Sequence, residues 1–343
     1  MRHNVTNTIA AFVALAVLGF CIAGCNSTQP AHAAHDGASA RPPRATEDAR
    51  TMATPRLAAA AAVADAEPSS TDAGLLLVAH GSPLAKWNQP LLDLEAQVQQ
   101  RFQPNCPFRA IKLVFMEFTE PTIADGVHAL EAAGCDRIVV VPLLIAPSSH
   151  SQRDVPSLLG LYADERVEAT LRAEGATPVR SRLPITVTPT LDYGDLLEEV
   201  LLRRVQELSR DPQSEALVVL AHGDGDFEPI WSRRMRKLVT YLCGKTGITY
   251  GDYAFVHVGQ AYALHGVPVI AAATEHRPRV LVVGCYLAMG ATTMHQRYER
   301  APTSRDIPMP NFLAGKDVVT SPAGLLPDPL VVEWIIRTAK QAL

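Results

Sequence analysis

Residues 136–156, D-R-I-V-V-V-P-L-L-I-A-P-S-S-H-S-Q-R-D-V-P, decide the fold. The run from Ile138 to Ile145 is β-branched and leucine-rich, broken only by Pro142. It has no polar side, so it reads as a strand buried on both faces of a parallel sheet. Pro142 forfeits one ladder bond, which predicts that pairing thins near the strand's end. The polar segment 147–153 then reads as a loop, and Asp154-Val155-Pro156 as an N-cap with proline in the first helical turn. His150 would therefore lie just past the carboxyl end of an interior strand, the edge where open parallel sheets bind ligands. Taken alone it reads first as a loop histidine facing water.

Working outward, strand and helix patterns alternate from Gly74 onward. Leu75–Ala79 reads as a buried strand and is followed by His80-Gly81-Ser82-Pro83; Leu91–Phe102 has helical spacing. Ala110–Phe118 reads as a strand and Pro121–Ala133 as a helix stopped by Gly134. After the strand at Ile138 come a helix over Val155–Ala173, a short strand at Ile185–Val187 and an amphipathic helix over Leu191–Leu208. The pattern then restarts. The apolar run Ala216–Ala221 leads into His222-Gly223-Asp224, a helix spans Phe227–Leu242 and a strand Tyr253–Val258. Ala261–Thr274 reads as a helix bent by Gly266 and Pro268, Arg279–Leu287 as a buried strand, and Val331–Ala342 as a closing helix.

The spacings His80 to His222, Glu117 to His257 and His150 to His295 agree to within a few residues. Strict register would set Thr292 opposite His150, so His295 is displaced by about one helical turn. The expectation is an internal duplication of the α/β class: two similar lobes, each a mainly parallel sheet flanked by helices, facing across a cleft.

The first residues carry a different pattern. Arg2 and His3 precede an apolar stretch over Ile9–Ala23, short for a membrane span and suited to a signal h-region. Ile22-Ala23-Gly24-Cys25 resembles a bacterial lipobox, with Cys25 as the lipidation site; an uncleaved anchor is the alternative. Residues 25–72, rich in Ala, Pro, Ser and Thr, read as a tether that buries no core. The expected divisions are therefore a signal peptide at 1–24, a tether at 25–72, and lobes at 73–190 and 191–343. The chain would sit on the periplasmic side, held to the membrane by lipid.

Of 343 residues, 48% are hydrophobic and 19% charged, with a net charge of -4. That balance supports a sizeable core and, with no basic stripe, excludes a nucleic-acid partner. Cys106, Cys135, Cys243 and Cys285 show no C-x-x-C and no zinc-type spacing; an exported chain could oxidise them or bury them as thiols.

His80, Glu117 and His150 each fall at or just past the carboxyl end of an expected parallel strand, so one sheet edge could gather them. Two imidazoles and a carboxylate suit Fe²⁺, Co²⁺, Ni²⁺ or Zn²⁺, whereas Mg²⁺ and Ca²⁺ prefer oxygen ligands. Singly, His80 could be a backbone-bonded strand-end imidazole and Glu117 a solvated carboxylate. No G-x-S-x-G makes Ser82 an elbow nucleophile, and His80-Gly81-Ser82 lacks the glycines and lysine of a phosphate loop.

The motifs L-L-L-V-A-H-G-S, F-M-E-F-T-E-P-T-I and V-V-V-P-L-L-I-A-P-S-S-H-S-Q-R-D-V-P, in that order between Gly74 and Leu161, resemble the three signatures of the class II chelatases, the sirohydrochlorin cobalto- and ferrochelatases. The resemblance implies insertion of Co²⁺, Fe²⁺ or Ni²⁺ into sirohydrochlorin or a related tetrapyrrole. The metal would be a substrate, with no organic cofactor. It also implies that the metal-binding and proton-accepting histidines are His80 and His150, and the acid Glu117. Arg153 would meet substrate carboxylates, with Arg233, Arg234, Arg236 and Lys237 as a second option or merely a solvated helix face. His222, His257 and His295 would either shape the cleft or form a second metal site, with Asp224 and Asp226 joining it or making a plain turn. His128, His265 and His276 read as structural. The competing reading is an exported lipoprotein that binds metal or tetrapyrrole without catalysis, and a third is a lipoprotein that reuses the scaffold for protein contacts.

Overall fold

The computed structural model describes residues 72–83, 85–257, 261–304 and 307–343. The signal and tether expectations, Cys25 included, lie outside them.

Strand β1 (Ala73–Ala79) is buried at all seven positions, as its unbroken A-G-L-L-L-V-A run requires of a strand covered on both faces. It pairs in parallel with β2 (Ala110–Phe115) on one side and β3 (Arg137–Pro142) on the other, and β3 pairs with β4 (Ile185–Val187). The sheet order is β2-β1-β3-β4. β5 (Glu215–Ala221), again wholly buried, lies between β6 (Tyr250–Phe255) and β7 (Arg279–Cys285), and β7 pairs with β10 (Asp317–Thr320). The second sheet thus runs β6-β5-β7-β10, the same order as the first, and this is the two-lobed α/β architecture expected from the repeat. A two-residue antiparallel pair, β8 (Thr303–Ser304) with β9 (Ile307–Pro308), stands apart.

The alternation of each strand sends one set of side chains inward and the other outward. Leu75, Leu77, Val139 and Val141 of the first sheet share one core with Leu217, Val219, Leu281 and Val283 of the second. Between them lie α1 (Ala85–Phe102), α5 (Leu196–Leu208), α6 (Glu228–Thr246) and α9 (Pro329–Gln341). α5 follows the first sheet but packs on α6 and β7, while α9 follows the second and packs on α1 and β3. This reciprocal exchange of helices makes one middle layer common to both lobes. A bidentate pair between Glu198 on α5 and Arg234 on α6, at 2.5 and 2.7 Å, is buried within it. The outer face of the first sheet is covered by α2 (Ile123–Ala132), α3 (Val155–Leu158) and α4 (Glu165–Ala173). That of the second is covered by α7 (Val267–His276) and α8 (Thr292–Arg300).

Several expectations change in detail. The helix expected over Val155–Ala173 is two, because Gly160 turns the chain at φ +71° and Asp164 caps a fresh start by accepting from Arg166 and Val167 N–H. The segment 147–153 is not all loop: a π-helical turn runs from His150 to Asp154 straight into α3. Asp154 makes no capping bond and keeps helical φ and ψ, so it is not an N-cap. The bend expected at Gly266-Val267-Pro268 is a second π-helical turn, Tyr262–Gly266, leading into α7. The sequence reading missed α8 and β10. The four cysteines among the described residues are free thiols.

Candidate metal centre

β1 lies between β2 and β3, so the connection from β1 runs to one side and that from β2 crosses back to the other, and the crevice beyond the carboxyl ends at such a reversal is a natural ligand site. His80 is the first residue after β1. Gly81 follows with φ +91°, and a Cβ there would stand 2.1 Å from the carbonyl oxygen of Glu117, so only glycine lets the two strand ends approach. The Glu117 N–H donates to the His80 carbonyl at 3.0 Å, extending the β1–β2 pairing past the sheet and setting the acid beside the imidazole. His150 arrives from the other side on its π-helical turn.

One nitrogen from each of His80 and His150 and one carboxylate oxygen of Glu117 lie within 4.8 Å of one another, the one such group of three among the described residues. His80 Nε2 is 3.8 Å from Glu117 Oε1, and the two imidazoles meet edge to face with centroids 4.8 Å apart. Hydrogen bonds fix which nitrogen carries the lone pair. His80 Nδ1–H donates to the Gly81 carbonyl at 3.0 Å and His150 Nδ1–H to the Asp154 carboxylate at 2.7 Å, leaving both Nε2 atoms free to coordinate.

The electrostatics follow from this packing. The Glu117 side chain is 6% exposed, and burial pushes its carboxyl up to about 7. The His80 side chain keeps 41% of its surface open, yet protein packed around the ring displaces much of its surrounding water. That loss of bulk water, with the neighbouring His150, lowers its pKa to about 4. Burial would lower His150 too, but the hydrogen bond and charge of Asp154 prevail and hold it above the ordinary histidine value. Near neutral pH the site therefore holds a neutral His80 and an acid poised at half ionisation, beside an imidazole that Asp154 holds above the ordinary histidine value.

The second lobe is built on the same plan with a different outcome. His222 Nδ1–H donates to the Gly223 carbonyl at 2.8 Å, as His80 does to Gly81, and its Nε2 lies 3.1 Å from His257 Nδ1. Burial and the facing His257 bring His222 down to about 3. His295 does not join them. It is buried on α8, hydrogen-bonded through Nδ1 to the Tyr262 hydroxyl at 2.8 Å and 3.5 Å from Glu299, so the three histidines form no common ligand cluster.

Other expected site residues are engaged elsewhere. Arg153 is 2.5 Å from Asp226 across the lobes, so its guanidinium already has a carboxylate partner. Arg234 is buried against Glu198 rather than solvated, whereas Arg233, Arg236 and Lys237 are exposed. Asp224 and Asp226 do more than form a turn: both reach the first lobe. Asp154 is the main residue missed. Its signal was present as a histidine and an aspartate four apart, but the segment read as a loop, where that spacing carries no meaning.

A family model described as CbiX matches residues 74–208. The sirohydrochlorin cobaltochelatase of Saccharolobus solfataricus is 34% identical over 134 residues, 39% of this chain and 94% of that protein. The protein of the same name from Methanocaldococcus jannaschii is 40% identical over 90 residues, 26% of this chain and 60% of that one. The solved sirohydrochlorin chelatase SirB of Bacillus subtilis subspecies spizizenii, in complex with cobalt, superposes with a TM-score of 0.54 at 15% identity. It covers 79% of this chain and 94% of that one, a likeness of fold that spans both lobes. The family match carries all three motifs and the three converging side chains, and the chain belongs to the CbiX family, the class II chelatases.

Proposed function

We propose that this chain inserts a divalent transition-metal ion, Co²⁺ or Fe²⁺, into sirohydrochlorin or a closely related tetrapyrrole. The observation that carries the reading is the convergence of His80, Glu117 and His150 within 4.8 Å at the carboxyl edge of the first sheet. Two neutral nitrogens and one carboxylate hold a borderline transition ion while leaving coordination positions open for pyrrole nitrogens. Both relatives bear the name sirohydrochlorin cobaltochelatase, which supports the choice of tetrapyrrole and of cobalt as one candidate metal.

Insertion replaces two pyrrole N–H bonds with metal–nitrogen bonds and releases two protons. A base working near neutral pH is needed, and Glu117, whose carboxyl burial raises to about 7 in the ion-free site, accepts a proton as the ion leaves it for the pyrrole nitrogens, passes it to solvent and accepts the next. His80 stays unprotonated throughout and serves as a constant ligand. Asp154 steadies the cation-binding face of His150. Arg153, though paired with Asp226, keeps further N–H donors on an exposed guanidinium that can meet a substrate carboxylate.

Mixing the protein with sirohydrochlorin and Co²⁺ and following the visible spectrum tests the reading. Catalytic conversion of many equivalents, lost in His80→Ala and Glu117→Ala, is expected. Binding of one equivalent of Co²⁺ without turnover would contradict it. For cellular place, the sequence at 1–25 supports lipid attachment at Cys25 on the periplasmic face of a membrane, with 25–72 as tether; Cys25→Ser should then abolish incorporation of labelled fatty acid.

A further inference from the structure

The family match ends at residue 208, yet the site it defines is braced by residues beyond it. The link from β3 to His150 is largely without regular structure; its own lobe holds its start, where the Leu143 N–H donates to the Val78 carbonyl at 2.7 Å and the Leu144 carbonyl accepts from Leu191 at 2.9 Å. Four bonds from one short segment of the second lobe add to its hold. The Asp224 carboxylate accepts the Ser149 N–H at 2.8 Å and the Ser149 hydroxyl at 3.3 Å. Asp226 pairs with Arg153 at 2.5 Å, within the π-helical turn that carries His150. The Trp231 indole N–H donates to the Pro147 carbonyl at 2.9 Å.

Asp224 is itself held. Its Oδ1 accepts the N–H groups of Asp226 at 3.0 Å and Phe227 at 3.2 Å, so the carboxylate is aimed before it meets Ser149. It occupies the place that Ser82 holds in the first repeat, two residues after the strand-end histidine. A serine hydroxyl offers one oxygen on a shorter arm, whereas the carboxylate holds its own turn through Oδ1 and reaches the opposite lobe through both oxygens, Oδ2 to the Ser149 N–H and Oδ1 to the Ser149 hydroxyl. The two repeats have therefore diverged at this position in a way that joins them.

We infer that Asp224 is a positioning residue for metal capture: it grips the backbone at Ser149, where the π-helical turn begins, and so sets His150 Nε2 opposite His80 and Glu117. The second lobe then supports the first lobe's ion site without supplying a ligand to it. The inference rests on the proposed function only in taking these three residues as the ligand set. Outer partners that orient metal ligands change affinity by about 10- to 100-fold when removed, and that is the effect expected here.

The test is Co²⁺ titration of the full-length chain, following both affinity and the visible absorption of the bound ion. Wild type, Asp224→Ala, Asp224→Asn and His80→Ala are compared, with unfolding midpoints measured alongside. Expected are a weaker Co²⁺ complex with an altered band in Asp224→Ala at an unfolding midpoint near wild type, and an intermediate complex in Asp224→Asn, which keeps one carbonyl acceptor. Wild-type affinity and spectrum in Asp224→Ala would overturn the inference. If that variant does not fold, Asp224→Asn decides: an altered band supports the inference and an unchanged one refutes it. Equal Co²⁺ binding by wild type and His80→Ala would instead remove the ligand set, and the inference would fall with it.

Discussion

Glu117→Gln should stabilise the metal-free protein at alkaline pH while destroying its hold on metal. The carboxyl is nearly buried at the end of β2, and its pKa rises from 4.5 to about 7 chiefly because burial strips water from the charged form. A raised folded-state value stabilises the fold fully at pH below 4.5, and that contribution is lost as pH climbs through about 7. At about pH 8.5 the wild type has lost the whole of it, roughly 3 kcal/mol for a rise of this size. Glutamine has the same shape and no charge, so the variant retains the contribution at every pH. Urea unfolding in the presence of a chelator should therefore show Glu117→Gln near wild type at about pH 4.5 and more stable by up to about 3 kcal/mol at about pH 8.5. Added Co²⁺ should reverse the order at high pH, protecting only the wild type. A difference between the two proteins that does not change with pH, or a variant less stable at about pH 8.5, would refute the claim that a desolvated carboxyl is kept ready for an ion.

Other consequences follow from the same geometry. Co²⁺ affinity should fall as pH drops below about 7, because binding must then displace a proton from Glu117 and, with its pKa held above the ordinary value, from His150 as well; calorimetry in buffers of different ionisation enthalpy would count them. Asp154→Ala frees the His150 ring to rotate, and a loss of about 10- to 100-fold in metal affinity is expected by titration, with little effect on secondary structure by circular dichroism. Gly81→Ala sets a Cβ 2.1 Å from the Glu117 carbonyl at φ +91°; unfolding should show a loss of about 1–3 kcal/mol or more, and turnover should fall because the two strand ends are forced apart.

Much of this arrangement was legible in the order of residues. Buried parallel strands such as Leu75–Ala79 and Ala216–Ala221 have no polar side, and a parallel sheet fixes which of their ends meet, so His80 and Glu117 could be placed from their positions alone. What escaped depends on contacts between distant segments. Asp317–Thr320 is too short and too ordinary to declare itself an edge strand until β7 offers it a partner. The π-helical turn at His150 has no repeating pattern in its own residues, and without it neither the role of Asp154 nor the reach of Asp224 has a periodicity to betray it. His295 shows the converse. Repeat spacing set it close to the counterpart of His150, but it is buried on α8 with its ring bonded to Tyr262.

Anomalous X-ray diffraction at the cobalt edge from Co²⁺-loaded crystals tests the central claim most directly. The account predicts one strong peak at about 2.0–2.2 Å from the Nε2 atoms of His80 and His150 and from a Glu117 oxygen. A peak between His222 and His257 instead, or one that touches only one of the three predicted ligands, would contradict it.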